Sequence, residues 1–139
     1  MITIVMGPPC AGKSTFIKKN FPDTKVIDLF DYQKDCFTKE DVWHSYEVCA
    51  EELQKAIKEN EDVVLEHTLL RAIRRKYYID KIREVTDEDI NIVCIIPSKK
   101  VLKERCEKRK TSYNGSCLDI LEKPKKKEGF SEITIITIK

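Results

Sequence analysis

Gly7-Pro8-Pro9-Cys10-Ala11-Gly12-Lys13-Ser14-Thr15 is the stretch whose reading decides the fold. It satisfies the phosphate-binding loop pattern G-x-x-x-x-G-K-[ST] at every fixed position. Its neighbours supply the context that pattern needs. Ile2-Thr3-Ile4-Val5-Met6 is a β-branched apolar run that predicts a buried strand. Lys13 to Asn20 predicts a helix, ended by Phe21-Pro22. In such a loop Gly7 and Gly12 take backbone angles that other residues avoid, and the chain wraps a phosphate closely. Backbone N–H groups of Cys10, Ala11, Gly12, Lys13 and Ser14 then point inward, reinforced by the partial positive charge of the helix N-terminus. Lys13 is expected to reach the β- and γ-phosphates of ATP and the Ser14 hydroxyl to ligate Mg²⁺, with Thr15 closing the binding motif. Cys10 reads as a small filler, since this chemistry needs no thiol.

The chain has 139 residues, a length that predicts a single domain over 1–139. That size buries one core and leaves little room for a separate substrate domain. A formal net charge of +2 sets up no global field of the kind that advertises nucleic acid. No apolar run approaches the roughly 20 residues needed to span a membrane. The first strand begins at Ile2, so no leader segment is expected in front of it, and a cytoplasmic location is expected. The six cysteines form no C-x-x-C pair, and free thiols are the expectation. The histidines are His44 and His67, and no zinc-ligand spacing appears.

Strand-like runs alternate with helical patterns, which predicts an α/β fold with a parallel sheet. Lys25–Asp28 reads as a second strand, Asp62–Glu66 as a third, Ile90–Ile96 as a fourth and Ile133–Ile138 as a fifth. From Asp41, apolar Trp43, Tyr46, Ala50, Leu53 and Ile57 recur in steps of three and four and predict one apolar helical face. An arginine-rich helix is expected from about Leu70 to Val85, and Ser98 caps another running to about Lys110. Thr111 to Lys127 reads as a polar loop. In open parallel sheets ligands bind beyond the carboxyl ends of the strands. The 7–15 loop, Asp28 and Glu66 all fall at such ends.

The acids and arginines sharpen this. A kinase needs a carboxylate to accept the proton of an attacking hydroxyl, and Asp28 or Asp31 stands where that group belongs. Capping of the next element is the plainer role for either. Glu66, at the end of Val63-Val64-Leu65, fits an acid of the metal site; a structural ion pair is its alternative. His67 reads equally as a phosphate contact or an ordinary strand-end residue. Arg105 and Arg109 are four apart and share a helical face, as a lid that lays arginine across a transferring phosphoryl group would. The same helix, full of mixed charge, also reads as a solvated one. Arg71, Arg74, Arg75 and the lysines at 125–127 are candidates to track a nucleic-acid backbone, although lysine runs are usually solvated loops.

Taken in order, these residues resemble the polynucleotide 5′-hydroxyl kinase-like P-loop kinases, relatives of zeta toxins and small-molecule phosphotransferases. Gly7–Thr15 matches the phosphate loop. Val26-Ile27-Asp28-Leu29-Phe30-Asp31-Tyr32 looks like the element that carries the general base. Val63-Val64-Leu65-Glu66-His67-Thr68 looks like the Asp-Asn-Thr strand end, and Leu102–Arg109 looks like the lid helix. Glu122-Lys123-Pro124 and Glu128-Gly129-Phe130-Ser131-Glu132 look like the approach to the last strand. The resemblance implies a P-loop NTPase three-layer sandwich with a five-stranded parallel sheet and a short lid near 98–127. It also implies ATP and Mg²⁺ as cofactors, and a hydroxyl acceptor. Gln33 stands near the place where the nucleic-acid kinases carry a phosphate-holding arginine. The expected function is therefore ATP-dependent phosphorylation of a hydroxyl, preferably the 5′-hydroxyl of DNA or RNA. A small-molecule kinase acting on a nucleoside, sugar or antibiotic is the second reading, and a non-catalytic ATP-binding switch the third. A guanine-reading Asn-Lys-x-Asp motif is absent from the sequence.

Overall fold

Each of the five apolar runs becomes a strand in the computed structural model, which describes residues 1–139. The strands are β1 (Ile2–Met6), β2 (Lys25–Asp28), β3 (Val63–His67), β4 (Ile90–Pro97) and β5 (Glu132–Ile138). All pair in parallel, in the order β2-β3-β1-β4-β5. Between them run α1 (Lys13–Asn20), α2 (Leu29–Gln33), α3 (Lys39–Lys58), α4 (Ala72–Arg83), α5 (Lys99–Lys108) and α6 (Ser116–Ile120).

Strand side chains alternate between two faces, and each face has its own core. Ile2, Ile4 and Met6 point with Leu65, Ile90 and Ile92 toward Cys49, Leu53 and Ala56 of α3 and Tyr78 and Ile82 of α4. Val5, Val64, Val93 and Ile95 point the other way, toward Ala11 of the phosphate loop and Ile17 of α1. Helices therefore cover both faces of a fully parallel sheet, as its backbone geometry demands. The result is the three-layer P-loop NTPase architecture. No helix is long and apolar enough to cross a membrane.

The ends of the elements follow local chemistry. Thr38 caps α3 by accepting from the Asp41 N–H at 3.0 Å, and the Asp41 carboxylate reaches back to the Thr38 N–H at 3.3 Å. Two short helices stand where the sequence shows no helical period. Five residues are too few to display one, in α2 and in α6 alike. Residues 111–127, read as a loop, contain α6 and run into a 3-10 turn at Lys126–Glu128.

The basic helix α4 divides in two. Arg75 is completely buried. Its Nε donates to Glu128 Oε1 at 2.7 Å, one Nη to Glu128 Oε2 at 3.1 Å and the other Nη to the Leu69 carbonyl at 2.9 Å. The pair ties α4 to the turn that leads into β5. This corrects the reading of Arg75 as a backbone-tracking arginine. It shares a helical stripe with Tyr78, Ile79 and Ile82, and that stripe faces the core. Arg71 pairs with Glu122 at 3.4 Å, and Arg83 donates to the Glu88 carbonyl at 2.7 Å. Arg74 is left with neither ion pair nor hydrogen-bond acceptor; its guanidinium lies 6.0 Å from the Tyr46 ring.

Candidate functional site

The loop from Gly7 to Gly12 is held by its surroundings. Gly7 N–H donates to the Thr68 carbonyl at 3.3 Å, which ties the loop to the end of β3. A Cβ at Gly7 would lie 2.7 Å from the Ile95 carbonyl oxygen, so only glycine permits this close approach. Gly12 is left-handed, at φ 100°, and opens α1 without any side-chain cap. The first N–H groups of α1 are therefore free for an anion. Cys10 also takes positive φ, at 69°, a conformation uncommon outside glycine.

Lys13 folds back on this loop. Its Nζ donates to the carbonyls of Gly7 at 3.0 Å and Pro8 at 2.9 Å. Burial lowers its pKa to about 8, against the opposing pull of Glu66 and Asp28. Ser14 Oγ donates to Glu66 Oε1 at 2.6 Å. Asp28 and Glu66 are register partners at the ends of β2 and β3. Burial, and then the neighbouring Glu66 charge, push the Asp28 carboxyl up to about 6, although it accepts from the Phe30 N–H at 2.9 Å. His67 is driven down to about 4 by burial and then by Lys13, so its imidazole is neutral at pH 7.

These groups share one cavity of about 340 Å³, which Lys13, Ser14, Asp28, Glu66, His67, Thr68 and Arg109 help to line. A second cavity of about 330 Å³ lies beyond the loop, walled by Ala11, Gly12, Thr15, Phe16, Ile95, Ile136 and Ile138 with Arg105 and Arg109. Arg109 reaches both. Arg105 instead donates to the Ala11 carbonyl at 2.6 Å and rests on the loop itself. Asp31 is exposed in α2 and lines neither cavity. The geometry thus separates two pairs that the sequence left equivalent, bringing Asp28 and Arg109 to the cleft and leaving Asp31 outside it.

Some neighbours gave no sequence signal. Thr111 and Ser112 line the cleft from the segment read as a polar loop. Thr111 Oγ1 sits 3.4 Å from Cys10 Sγ and so touches the phosphate loop. Burial pushes the Cys10 thiol up, but hydrogen bonds from Thr111 and Cys106 with the Arg109 charge outweigh it, and the net shift is downward. Cys10 is more than a filler, because it links the loop to the end of α5.

The donors present suit Mg²⁺. That ion takes oxygen ligands, keeps waters and phosphates in its shell, and uses few protein groups. The Ser14 hydroxyl and Glu66 carboxylate, in contact at the loop, are donors of that kind.

A fully parallel sheet with a phosphate loop after its central strand defines a P-loop NTPase domain. The AAA domain family matches residues 2–119, and the chain belongs to that family. Solved structures that share its fold include several kinases. A gluconokinase from Sinorhizobium meliloti 1021 superposes with TM-score 0.64 at 22% identity, covering 99% of this chain and 82% of that one. A sugar kinase from Janibacter sp. HTCC2649 gives TM-score 0.62 at 17% identity, over 97% and 83% of the two chains. A chain of the Pnkp1/Rnl/Hen1 RNA repair complex gives TM-score 0.72 at 16% identity, over 85% of this chain and 41% of that one. At these identities the likeness is one of fold. No curated protein matches the chain.

Proposed function

We propose that the protein is an ATP-dependent kinase that transfers the γ-phosphoryl group to an alcohol, with the 5′-hydroxyl of DNA or RNA as its preferred acceptor. The observation that carries this reading is the shared cleft. A carboxylate free to take a proton, Asp28, faces the same cavity as the phosphate-loop Lys13 and the Ser14–Glu66 pair. A nucleotide switch needs the loop and the metal donors but has no use for such a base.

In this reading the triphosphate lies along the loop N–H groups, and the largely apolar second cavity takes the adenine. The acceptor oxygen attacks the γ-phosphorus, its proton passes to Asp28, the bond to the β-phosphate oxygen breaks, and ADP leaves. Lys13 exchanges the loop carbonyls for phosphate oxygens. Arg109, in reach of both cavities, stabilises the spreading charge, and Arg105 braces the loop through Ala11. Mg²⁺ held by Ser14, with Glu66 behind it, would offset charge on the β- and γ-phosphates. The likeness to a chain of an RNA repair complex supports the polynucleotide acceptor, and the likenesses to sugar and gluconate kinases support alcohol phosphorylation in general.

The pH profile of kcat/KM tests the assignment. Asp28 must be ionised to accept a proton, so activity should rise with pH through about 6. Lys13 must be protonated to meet phosphate, so activity should fall as pH passes about 8. The expected profile is a bell between these limits. Lys13→Ala should lower transfer by roughly 10²-fold or more, the scale of losing one preorganised charge. A flat profile from pH 5 to 9, or wild-type rates in Lys13→Ala, contradicts the assignment.

A further inference from the structure

Beside the cleft, α3 and α4 meet in a cluster of rings that the core does not absorb. Trp43, on the apolar face of α3, is half exposed. Its ring centre lies 6.0 Å from that of Tyr46 and 5.6 Å from that of Tyr77. Tyr46 in turn stands edge-on to His67 at 6.1 Å, and His67 lines the phosphate cleft. Cavities of about 450 and 300 Å³ flank this cluster and share Trp43, Tyr46 and Arg74. A third, of about 500 Å³, shares Ile73, Lys76 and Asp80 with the smaller one and reaches Lys127. The three cavities share walls and run as a groove from Trp43 along α4 to the turn before β5, and the Tyr46–His67 contact sets their Trp43 end beside the cleft.

Its polar lining is unbalanced. Asp80 is taken by Lys76 at 2.7 Å, and Glu128 by the buried Arg75. Lys39, Arg74 and Lys127 have no carboxylate partner within 4.0 Å. The groove thus offers an open aromatic face next to unpaired cations, with no free carboxylate. Its two carboxylates are already paired and it carries no amide side chain, so little in its lining is free to hydrogen-bond the hydroxyls of a sugar. Alternating flat faces and anions are what it complements.

We propose that this groove holds a single-stranded polynucleotide downstream of its 5′-hydroxyl, with a base stacked on Trp43 and a backbone phosphate on Arg74. The inference rests on the kinase reading and names the acceptor subsite of that reading. Stacking on an exposed tryptophan requires a base with a free face, which a single strand provides. Arg74, already over the Tyr46 ring, is held by that ring in a position to meet a phosphate. Lys127 would take a phosphate further along.

Trp43 is the only tryptophan in the chain, so its fluorescence reads this site alone. Titration with an oligothymidylate bearing a 5′-hydroxyl, without ATP, should quench that fluorescence, and affinity should fall steeply as salt rises. Gluconate should leave it unchanged. Trp43→Ala should raise the KM for the oligonucleotide roughly 5- to 150-fold, the range for losing one stacked base, with the KM for ATP unchanged. Trp43→Phe, which keeps a flat face, should retain most of the affinity. Arg74→Ala should flatten the salt dependence by about 0.7 in log–log slope, the share of one phosphate on a single strand. If the oligonucleotide is phosphorylated but Trp43→Ala and Arg74→Ala leave its KM and salt slope unchanged, the subsite is wrong and the kinase reading stands. If the oligonucleotide quenches Trp43 but no hydroxyl is phosphorylated, the groove stands as a strand-binding site and the kinase reading falls.

Discussion

Asp28→Asn is expected to lower phosphoryl transfer by roughly 10²–10⁴-fold, the contribution of a positioned general base, with ATP affinity nearly unchanged. Asparagine keeps the size of the side chain and can still accept from the Phe30 N–H that Asp28 now caps. It loses the ability to take a proton and, with it, the negative charge. The same substitution should stabilise the fold. The folded Asp28 carboxyl titrates at about 6 against a usual 3.8, so ionising it in the native state carries a penalty. That penalty is complete above pH 6 and disappears below about 4, where the carboxyl is protonated in both states. Thermal melts at pH 7.5 should therefore show a higher Tm for Asp28→Asn than for wild type, and melts at pH 4 should show little difference. Asp31→Asn, in the exposed helix α2, should retain activity. Full turnover in Asp28→Asn together with loss in Asp31→Asn would reverse the assignment.

Glu128→Gln should cost about 3–5 kcal/mol of stability, the usual consequence of stranding a buried charge. Arg75 lies within the core beneath Leu69, and Glu128 receives two of its N–H groups. The glutamate also accepts from the Lys125 N–H at 2.8 Å, so it orders the turn into β5 as well. A glutamine there leaves the guanidinium buried without its counter-charge. Replacing both residues by apolar ones of similar length, Arg75→Met with Glu128→Leu, should recover most of the loss, because the desolvation cost disappears with the charge. Urea unfolding of the three proteins checks this. Identical midpoints for wild type and Glu128→Gln would mean that the pair does not support the fold.

The fold was legible because its signals are long or fixed in spacing. Each strand is a β-branched run, and the phosphate loop is read residue by residue. What failed were distinctions that depend on tertiary register. Asp28 and Asp31 look alike in sequence, and only the β2–β3 pairing that sets Asp28 beside Glu66 tells them apart. Arg105 and Arg109 share a helical face, yet one ends on the Ala11 carbonyl and the other lines the cleft. The burial of Arg75 was available from its spacing to Tyr78, Ile79 and Ile82, but the weight of charge in α4 hid it. Trp43 shows what a periodic pattern leaves open. It sits on the apolar face of α3, but in the first turns of that helix the face runs past the core and borders an open groove. Periodicity locates such a face without saying what covers it.

The most direct measurement is the fate of the γ-phosphate. The protein is incubated with Mg²⁺, γ-labelled ATP, and either a 5′-hydroxyl oligonucleotide or a panel of sugars and nucleosides, and the products are separated. The account predicts label on the 5′ end of the oligonucleotide with one ADP formed per transfer, and loss of that label in Lys13→Ala and Asp28→Asn. Label recovered only in ATP and inorganic phosphate, with every hydroxyl acceptor unmodified, would contradict it.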